Sequence, residues 1–174
     1  MDGRQTDRLL HAVATGDNKA FEQLYLKTKN GVYAFLYSYL NNAQDTEDAM
    51  QTVYLKVKTN ISSYKIGTNG RAWLLQIAKN LALDVIKKNA RFALQIQNSK
   101  DDLFEESGFV KGEILEIMQK ALAEEERRIV VLHVLWGYKH REIAKFLSCP
   151  TGTVTSKYKR AIEKLRRELK EDSV

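Results

Sequence analysis

The sequence predicts an all-α protein of two small helical domains joined by a flexible linker. Apolar residues recur at three- and four-residue spacings along most of the 174 residues, as in helices that bury one face. The chain contains 1 Pro and 9 Gly, which favours long helices over a sheet with many turns. The periodicity fades over residues 96–112, a length more typical of a joint between domains than of a loop inside one.

The first domain, residues 1–95, is predicted to contain three long helices. The first helix runs from Asn18 to about Tyr39 and has a broad apolar face. The second helix starts at Asp45, whose carboxylate we expect to cap it, with Asp48 as the reciprocal partner three residues later.

A turn-rich loop and the third helix complete this domain. In the loop Tyr64–Gly70, both Gly67 and Gly70 permit a left-handed backbone. The helix then runs from about Arg71 to Arg91 and carries an apolar stripe that includes Trp73.

The second domain, residues 113–174, is predicted to contain three or four shorter helices. Pro150 prevents the helix before it from continuing and favours an extended backbone at Cys149. A short helix, a tight turn and a longer basic helix form the layout of a helix-turn-helix. The approximate bounds of the helices are Glu113–Ala123, Glu124–Leu135, His140–Leu147 and Thr153–Lys170.

The charge of the chain indicates a polyanionic partner. The net charge is +6 and the isoelectric point is about 9.3. Residues 1–95 hold 13 Lys and Arg against 8 Asp and Glu, and residues 113–174 hold 13 against 10, whereas residues 96–112 hold 2 against 4. Two basic domains with an acidic joint are expected of two modules that contact a polyanion, such as nucleic acid or an anionic membrane surface.

Several other classes of protein are disfavoured by composition. A single cysteine, Cys149, excludes an internal disulfide and a zinc site of several cysteines, and we expect it to be a small apolar filler. No stretch resembles a signal peptide or a spanning helix, which predicts a cytoplasmic protein without direct membrane insertion. No nucleophile or metal-ligand spacing supports catalysis, so we expect no catalytic residue, metal, cofactor or small-molecule substrate.

The last helix divides into two faces when it is rotated by about 100° per residue. Six apolar residues from Val154 to Leu169 share one arc, and Thr155, Ser156, Lys159 and Arg160 lie on another. Such a helix presents its N-terminal residues to base edges in the major groove. The N–H groups at Gly152 and Thr153 are expected to be available to a phosphate. The predicted DNA contacts are Thr151, Thr153, Thr155, Ser156, Lys157, Lys159 and Arg160.

Four segments resemble one known family in the order that the family shows. "EIAKFLSCPTGTVTSKYKRAIEKLR" is similar to the fourth conserved region of bacterial sigma factors of the extracytoplasmic-function (ECF) group. "AFEQLYLKTKNGVYAFLYSYL", "DTEDAMQTVYLKV" and "RAWLLQIAKNLALDVIKK" resemble parts of the second region. Lys157 and Lys87 replace arginines of the family pattern, and Thr52 replaces an acidic residue.

The resemblance implies a subunit for transcription initiation, made of region 2 (1–95), a linker (96–112) and region 4 (113–174). Region 2 would recognise and open the −10 promoter element, and region 4 would read the −35 element. Core RNA polymerase would be bound through the β′ clamp and the β flap, and an anti-sigma factor is a further expected partner. The implied polymerase contacts are Asp45, Glu47, Asp48, Gln51 and Thr52.

The −10 contacts combine cations for the backbone with surfaces for unstacked bases. The implied residues are Tyr64, Lys65, Asn69, Trp73, Lys79, Asn80, Asp84, Lys87 and Lys88.

Two alternative functions are considered. A one-component helix-turn-helix regulator would bind an operator without polymerase, and its N-terminal half would carry a ligand pocket instead of the sigma pattern. An interaction protein that has lost DNA binding would not need the basic face of the last helix.

Overall fold

The computed structural model describes residues 3–95 and 113–171, and every regular element within these ranges is helical. The chain divides into two compact units, Met1–Glu106 and Ser107–Val174. The prediction of an all-α protein with two helical domains is confirmed. The predicted linker, residues 96–112, lies outside the described residues.

The first unit contains four α-helices, one more than the sequence predicts. The additional helix, α1, buries Leu10 and Val13 on one face. A short 3-10 turn, Ile61–Ser63, precedes the loop before the last helix. The helices are α1 (Gly3–Ala14), α2 (Asn18–Leu40), α3 (Ala43–Thr59) and α4 (Gly70–Gln95).

Helix α2 is the centre of this unit. Its residues 32–39 are all buried, because α1, α3 and α4 each pack against it. Phe35 and Leu36 have no exposed surface, and neither do Val53 of α3 and Leu74 of α4. A helix that is apolar on most sides is typical of a core position. The broad apolar face predicted for this helix is therefore explained by three neighbours rather than one.

The start of α3 differs from the prediction. Asn42 is the capping residue, since its side-chain oxygen accepts a hydrogen bond from the N–H of Asp45 at 2.8 Å. Asp45 lies inside the first turn, where its charge faces the positive end of the helix dipole. The prediction that Asp45 caps the helix with Asp48 was wrong, because an Asn three residues earlier takes that position.

The two glycines of the loop have different roles. Gly67 has a φ of +82°, so the predicted left-handed backbone is confirmed there. The same prediction was wrong for Gly70, which starts α4. A Cβ atom on Gly70 would lie 2.9 Å from Leu10 Cδ1 and 3.1 Å from the backbone nitrogen of Asp7. Gly70 is therefore required for close packing of α1 on α4.

The second unit is built from four α-helices around a small core. The predicted helix over Glu124–Leu135 has two parts, because a π-helical turn, Val131–Leu135, follows α6. Ile129, Leu132, Ile143 and Val154 form the fully buried centre. The helices are α5 (Glu113–Ala121), α6 (Glu124–Val130), α7 (His140–Leu147) and α8 (Thr151–Glu171).

The turn between α7 and α8 has the geometry of a helix end followed at once by a helix start. Ser148 is left-handed with a φ of +57°, and the N–H of Cys149 donates to the Ala144 carbonyl at 3.0 Å. The Pro150 carbonyl then accepts hydrogen bonds from the first turn of α8. Ala144 is buried, as expected where two helices approach closely. The predicted helix-turn-helix is present.

Candidate nucleic-acid interface

Helix α8 presents a polar face opposite its core face. Thr155, Ser156, Lys159 and Arg160 are all exposed. Val154 and Ala161 have no exposed surface. The side chains therefore lie on the two faces that the helical rotation predicts, and the polar face is open to a ligand along the first three turns.

The hydroxyl groups of this face are held by their own helix. Thr155 Oγ1 donates to the Thr151 carbonyl at 3.1 Å, and Ser156 Oγ donates to the Thr153 carbonyl at 3.1 Å. His140 Nδ1 lies 3.1 Å from Thr155 Oγ1. These bonds orient the hydroxyls before any ligand binds. His140 was not among the predicted site residues.

The backbone at the start of α8 only partly matches the phosphate site that the sequence predicts. The N–H of Thr153 donates to the Pro150 carbonyl at 3.1 Å, so it is not available to a phosphate in this conformation. The prediction was wrong for Thr153, because the first turn closes on itself with a bond three residues back. A Cβ atom on Gly152 would meet nothing within 4 Å, so close backbone packing is not the reason for this glycine.

Lys157 differs from its neighbours in the predicted DNA-binding set. It lies about 200° around the helix from Thr155, and its ammonium group forms an ion pair with Glu125 of α6. Its side chain is 26% exposed. Lys157 therefore fastens α8 to α6, whereas Lys159 and Arg160 remain on the exposed face.

A second ion pair fastens α8 to α6. Lys164 Nζ donates to Glu126 Oε2 at 2.7 Å, and the same oxygen accepts from the N–H of Ala123 at 3.0 Å. Burial raises the pKa of Glu126, but the hydrogen bonds from Lys164 and Ala123 outweigh this and the pKa is lowered. Glu125 and Glu126 were not predicted as partners of α8, because nothing local to their segment indicates these pairs.

Two histidines and a tyrosine pack together behind the exposed face. The ring centroids of His133 and His140 are 4.9 Å apart, and those rings lie 4.6 Å and 5.0 Å from Tyr158. Burial, and then the neighbouring His133, lower the pKa of His140. The Nε2 atom of His140 is buried and has no hydrogen-bond partner. This cluster supports Thr155 from below.

The acidic start of α3 is the candidate polymerase contact in the first unit. Asp48 and Gln51 are exposed, whereas Glu47 and Thr52 are half-buried. Asp45 Oδ2 accepts a hydrogen bond from Asn89 of α4 at 2.8 Å. The five predicted residues therefore share one end of α3, and Asp45 is already occupied by a structural contact.

One apolar residue extends this surface. Leu55 is 64% exposed, and it lies one helical turn or two beyond Thr52, Gln51 and Asp48 on the same side of α3. An exposed leucine beside polar contacts is typical of an interface anchor. Leu55 was not among the predicted contacts, because exposure cannot be read from an apolar residue alone.

The predicted −10 residues fall into three groups by exposure. Tyr64 is buried, with only 6% of its surface exposed, so it offers little surface to a base in this conformation. Trp73 and Lys79 are half-buried, and Trp73 packs against Tyr64 with ring centroids 5.2 Å apart. The remaining residues are exposed, and they are Lys65, Asn69, Asn80, Asp84, Lys87 and Lys88.

Two of the exposed amides already make contacts within α4. Asn69 Oδ1 accepts from the N–H of Ala72 at 3.1 Å and so caps the helix, and Asn80 Oδ1 accepts from Gln76 at 2.8 Å. Ile66, at the tip of the loop, is 57% exposed and was not predicted as a site residue. Its neighbour Gly67 was the signal that this segment is a turn that points outward.

Two further kinds of site were sought along the described ranges. Within residues 3–95 and 113–171, no three His, Cys, Asp or Glu side chains are grouped so that they could hold a metal ion. The helices in these ranges are also too short or too polar for any of them to cross a membrane.

Comparison with known families gives two matches in the order of the predicted domains. The model for sigma-70 region 2 matches residues 24–92, and the model for sigma-70 region 4 matches residues 113–165. The chain belongs to the sigma-70 family. The region 2 match includes the candidate residues on α3 and α4, and the region 4 match includes the helix-turn-helix. Helix α1 lies outside both matches.

Relatives of the sigma factor cover nearly its whole length. It is 29% identical to the ECF RNA polymerase sigma factor SigW of Bacillus subtilis, in an alignment that covers 91% of this chain and 94% of SigW. It is 26% identical to the RNA polymerase sigma-H factor of Pseudomonas aeruginosa, in an alignment that covers 95% of this chain and 94% of that protein. The protein is therefore an ECF sigma factor, which binds core RNA polymerase and directs promoter-specific initiation of transcription.

Solved structures share the fold of this sigma factor. The sigma factor RpoE in complex with the anti-sigma factor NepR from Bartonella quintana has a TM-score of 0.68 at 22% identity, with 87% of this chain and 98% of that chain covered. CnrH in complex with the cytosolic domain of CnrY has a TM-score of 0.64 at 22% identity, with 97% and 99% covered.

Proposed function

We propose a division of the sigma factor's work among three surfaces in two domains, residues 1–95 and 113–174, with residues 96–112 as the linker. The observation that carries the proposal is the exposed polar face of α8, formed by Thr155, Ser156, Lys159 and Arg160 opposite a core face on which Val154 and Ala161 are fully buried. Such a face, at the start of the second helix of a helix-turn-helix, fits the major groove of the −35 element.

On this surface, base reading and backbone binding fall to different residues. Arg160 and Lys159 carry the base contacts, since arginine pairs bidentately with guanine. Thr151 donates to a phosphate or a base at the N-terminal end of the helix. The hydroxyls of Thr155 and Ser156 donate to carbonyls of their own helix, so they accept hydrogen bonds from base amino groups. Lys157 contributes indirectly, because its ion pair with Glu125 links α8 to α6.

The second surface is the loop of residues 64–70 with the exposed side of α4, which binds the opened −10 element. Lys65, Ile66, Thr68 and Asn69 are the exposed side chains of the loop. Lys87 and Lys88 supply positive charge farther along α4. Cations and an apolar side chain are what a single strand with unstacked bases requires. Tyr64 and Trp73 form the packed support of the loop rather than its contact surface.

The third surface is the exposed end of α3, which binds the β′ clamp of core polymerase. Asp48 and Gln51 supply polar contacts, and Leu55 supplies an apolar anchor beside them. Carboxylates on an exposed helix suit a basic helical partner. The second domain binds the β flap, on the ground of family resemblance.

Further properties follow from membership of the family. The protein acts without catalysis, cofactor or metal, and it acts in the cytoplasm, where its polymerase and promoters are. An anti-sigma factor is a proposed partner, supported by the sigma factor of similar fold that was solved with the anti-sigma factor NepR.

Selection of DNA by the reconstituted holoenzyme tests this division. A random library should yield two conserved elements separated by a fixed spacer. Arg160→Ala should change the preferred bases of the upstream element only, whereas substitutions in the 64–70 loop should change those of the downstream element only. Enrichment of one element alone, or loss of both elements from either substitution, would contradict the assignment of the two surfaces.

A further inference from the structure

We propose that Asp7 of α1 is a positioning residue for promoter recognition, because it holds both ends of the loop of residues 64–70. The inference rests on the proposed reading of the −10 element by this loop. It gives a role to α1, which lies outside the region 2 match, in a task assigned to α4 and the loop before it.

The side chain of Asp7 holds the first end of the loop. The Tyr64 hydroxyl donates a hydrogen bond to Asp7 Oδ1, across 57 residues of sequence. Tyr64 is 6% exposed, and its ring packs on Trp73 at 5.2 Å. Burial and the bond to the Asp7 carboxylate raise the pKa of Tyr64 to about 12, so the hydroxyl remains a donor at physiological pH.

The backbone of Asp7 packs closely against the second end of the loop. A Cβ atom on Gly70 would lie 3.1 Å from the Asp7 nitrogen and 2.9 Å from Leu10 Cδ1, so Gly70 fits only because it has no side chain. Asp7 therefore lies against both Tyr64, which starts the loop, and Gly70, which ends it.

The exposed residues of the loop lie between these two contacts. Lys65, Ile66 and Asn69 are open to solvent, while the residues at either end are buried. Fixing both ends reduces the conformations that the exposed side chains must give up on binding a base. If the bond to Tyr64 is lost, the loop keeps its sequence but loses its fixed position, so base discrimination falls more than general affinity.

Hydrogen exchange of the free protein tests whether the bond between Asp7 and Tyr64 restrains the loop. Asp7→Ala and Tyr64→Phe each remove one partner of the bond, while Asp7→Asn keeps an acceptor. Glu22→Ala is the control, since it removes the same charge from an exposed position on α2. We expect exchange of the loop amides to rise about tenfold in the first two variants, the worth of one buried hydrogen bond. In Asp7→Asn and Glu22→Ala it should stay close to wild type.

Promoter selectivity of the holoenzyme tests the consequence. The quantity is the ratio of initiation from the preferred −10 element to initiation from single-base variants of it. We expect this ratio to fall about tenfold in Asp7→Ala and Tyr64→Phe, with no further fall in the double variant and with core polymerase affinity unchanged. Asp7→Asn should keep most of the wild-type ratio, because the Asn side chain still accepts the hydrogen bond from Tyr64.

The possible outcomes distinguish the role of Asp7 from the proposed function of the loop. Normal exchange and a normal ratio in folded Tyr64→Phe would overturn the role of Asp7, and this holds even if Asp7→Ala fails to fold. A wild-type holoenzyme without any preference at the −10 element would count against the proposed function instead. Faster exchange of the loop amides with unchanged promoter selectivity would also overturn the proposal, because the bond between Asp7 and Tyr64 would then have no part in reading the promoter.

Discussion

Substitution of two basic residues three positions apart on α8 should have different effects, one on DNA recognition and the other on stability. Arg160 lies on the exposed face, whereas Lys157 is paired with Glu125 across the domain. We expect Arg160→Ala to weaken −35 recognition by about 1–3 kcal/mol, the value of a good base contact. We expect Lys157→Ala to lower the stability of the second domain by no more than about 1 kcal/mol, because the Glu125 side chain is 61% exposed and solvent screens the pair.

The assay compares binding and folding in the same variants. Fluorescence anisotropy with the reconstituted holoenzyme gives the preference for a wild-type −35 element over a scrambled one, and thermal melting gives the stability. Arg160→Ala should lose about 5- to 150-fold in preference at an unchanged melting temperature. Lys157→Ala should lower the melting temperature and keep most of the preference. An equal loss of preference in both variants would refute the separation of the two residues by face.

Three further predictions address folding, pH and polymerase binding. Glu126→Ala should destabilise the second domain by about 2–4 kcal/mol in chemical unfolding, since a buried partner of Lys164 and a helix cap are lost together. Because the pKa of His140 is lowered from its ordinary 6.5, the folded domain resists protonation, so its melting temperature should fall as the pH drops below about 6.5, and His140→Gln should reduce that fall. Glu47→Lys with Gln51→Ala should weaken association with core polymerase in a sedimentation or pull-down assay at unchanged helicity, and normal association would place the interface elsewhere.

Periodicity was sufficient to predict the helices with a clear apolar face. The bounds of α2 and α7 agree with the sequence to within a residue, and α8 divides into the two faces that the rotation predicts. Helix α1 was not predicted, although Leu10 and Val13 lie three positions apart on its buried face. The local pattern was therefore sufficient for α2, α7 and α8, whereas the pattern of α1 was missed.

The features of the candidate sites that the sequence did not reveal come from contacts that are distant in sequence. The burial of Tyr64 could not be predicted, because its hydrogen-bond partner Asp7 lies 57 residues away. Glu126 and Lys164 are 38 residues apart, so nothing near either residue indicates the pair. The capping of α3 by Asn42 is a local effect that was missed because several capping residues are adjacent, and only geometry distinguishes among them.

Run-off transcription with purified core polymerase tests directly whether the protein directs initiation at specific promoters. The sigma factor is added to core enzyme and to fragmented DNA of its own genome, and the transcripts are mapped at their 5′ ends. We expect discrete start sites, each preceded by the same two elements. These start sites should disappear when the sigma factor is omitted. Core polymerase that neither binds the protein nor initiates at any discrete site in its presence would contradict this expectation.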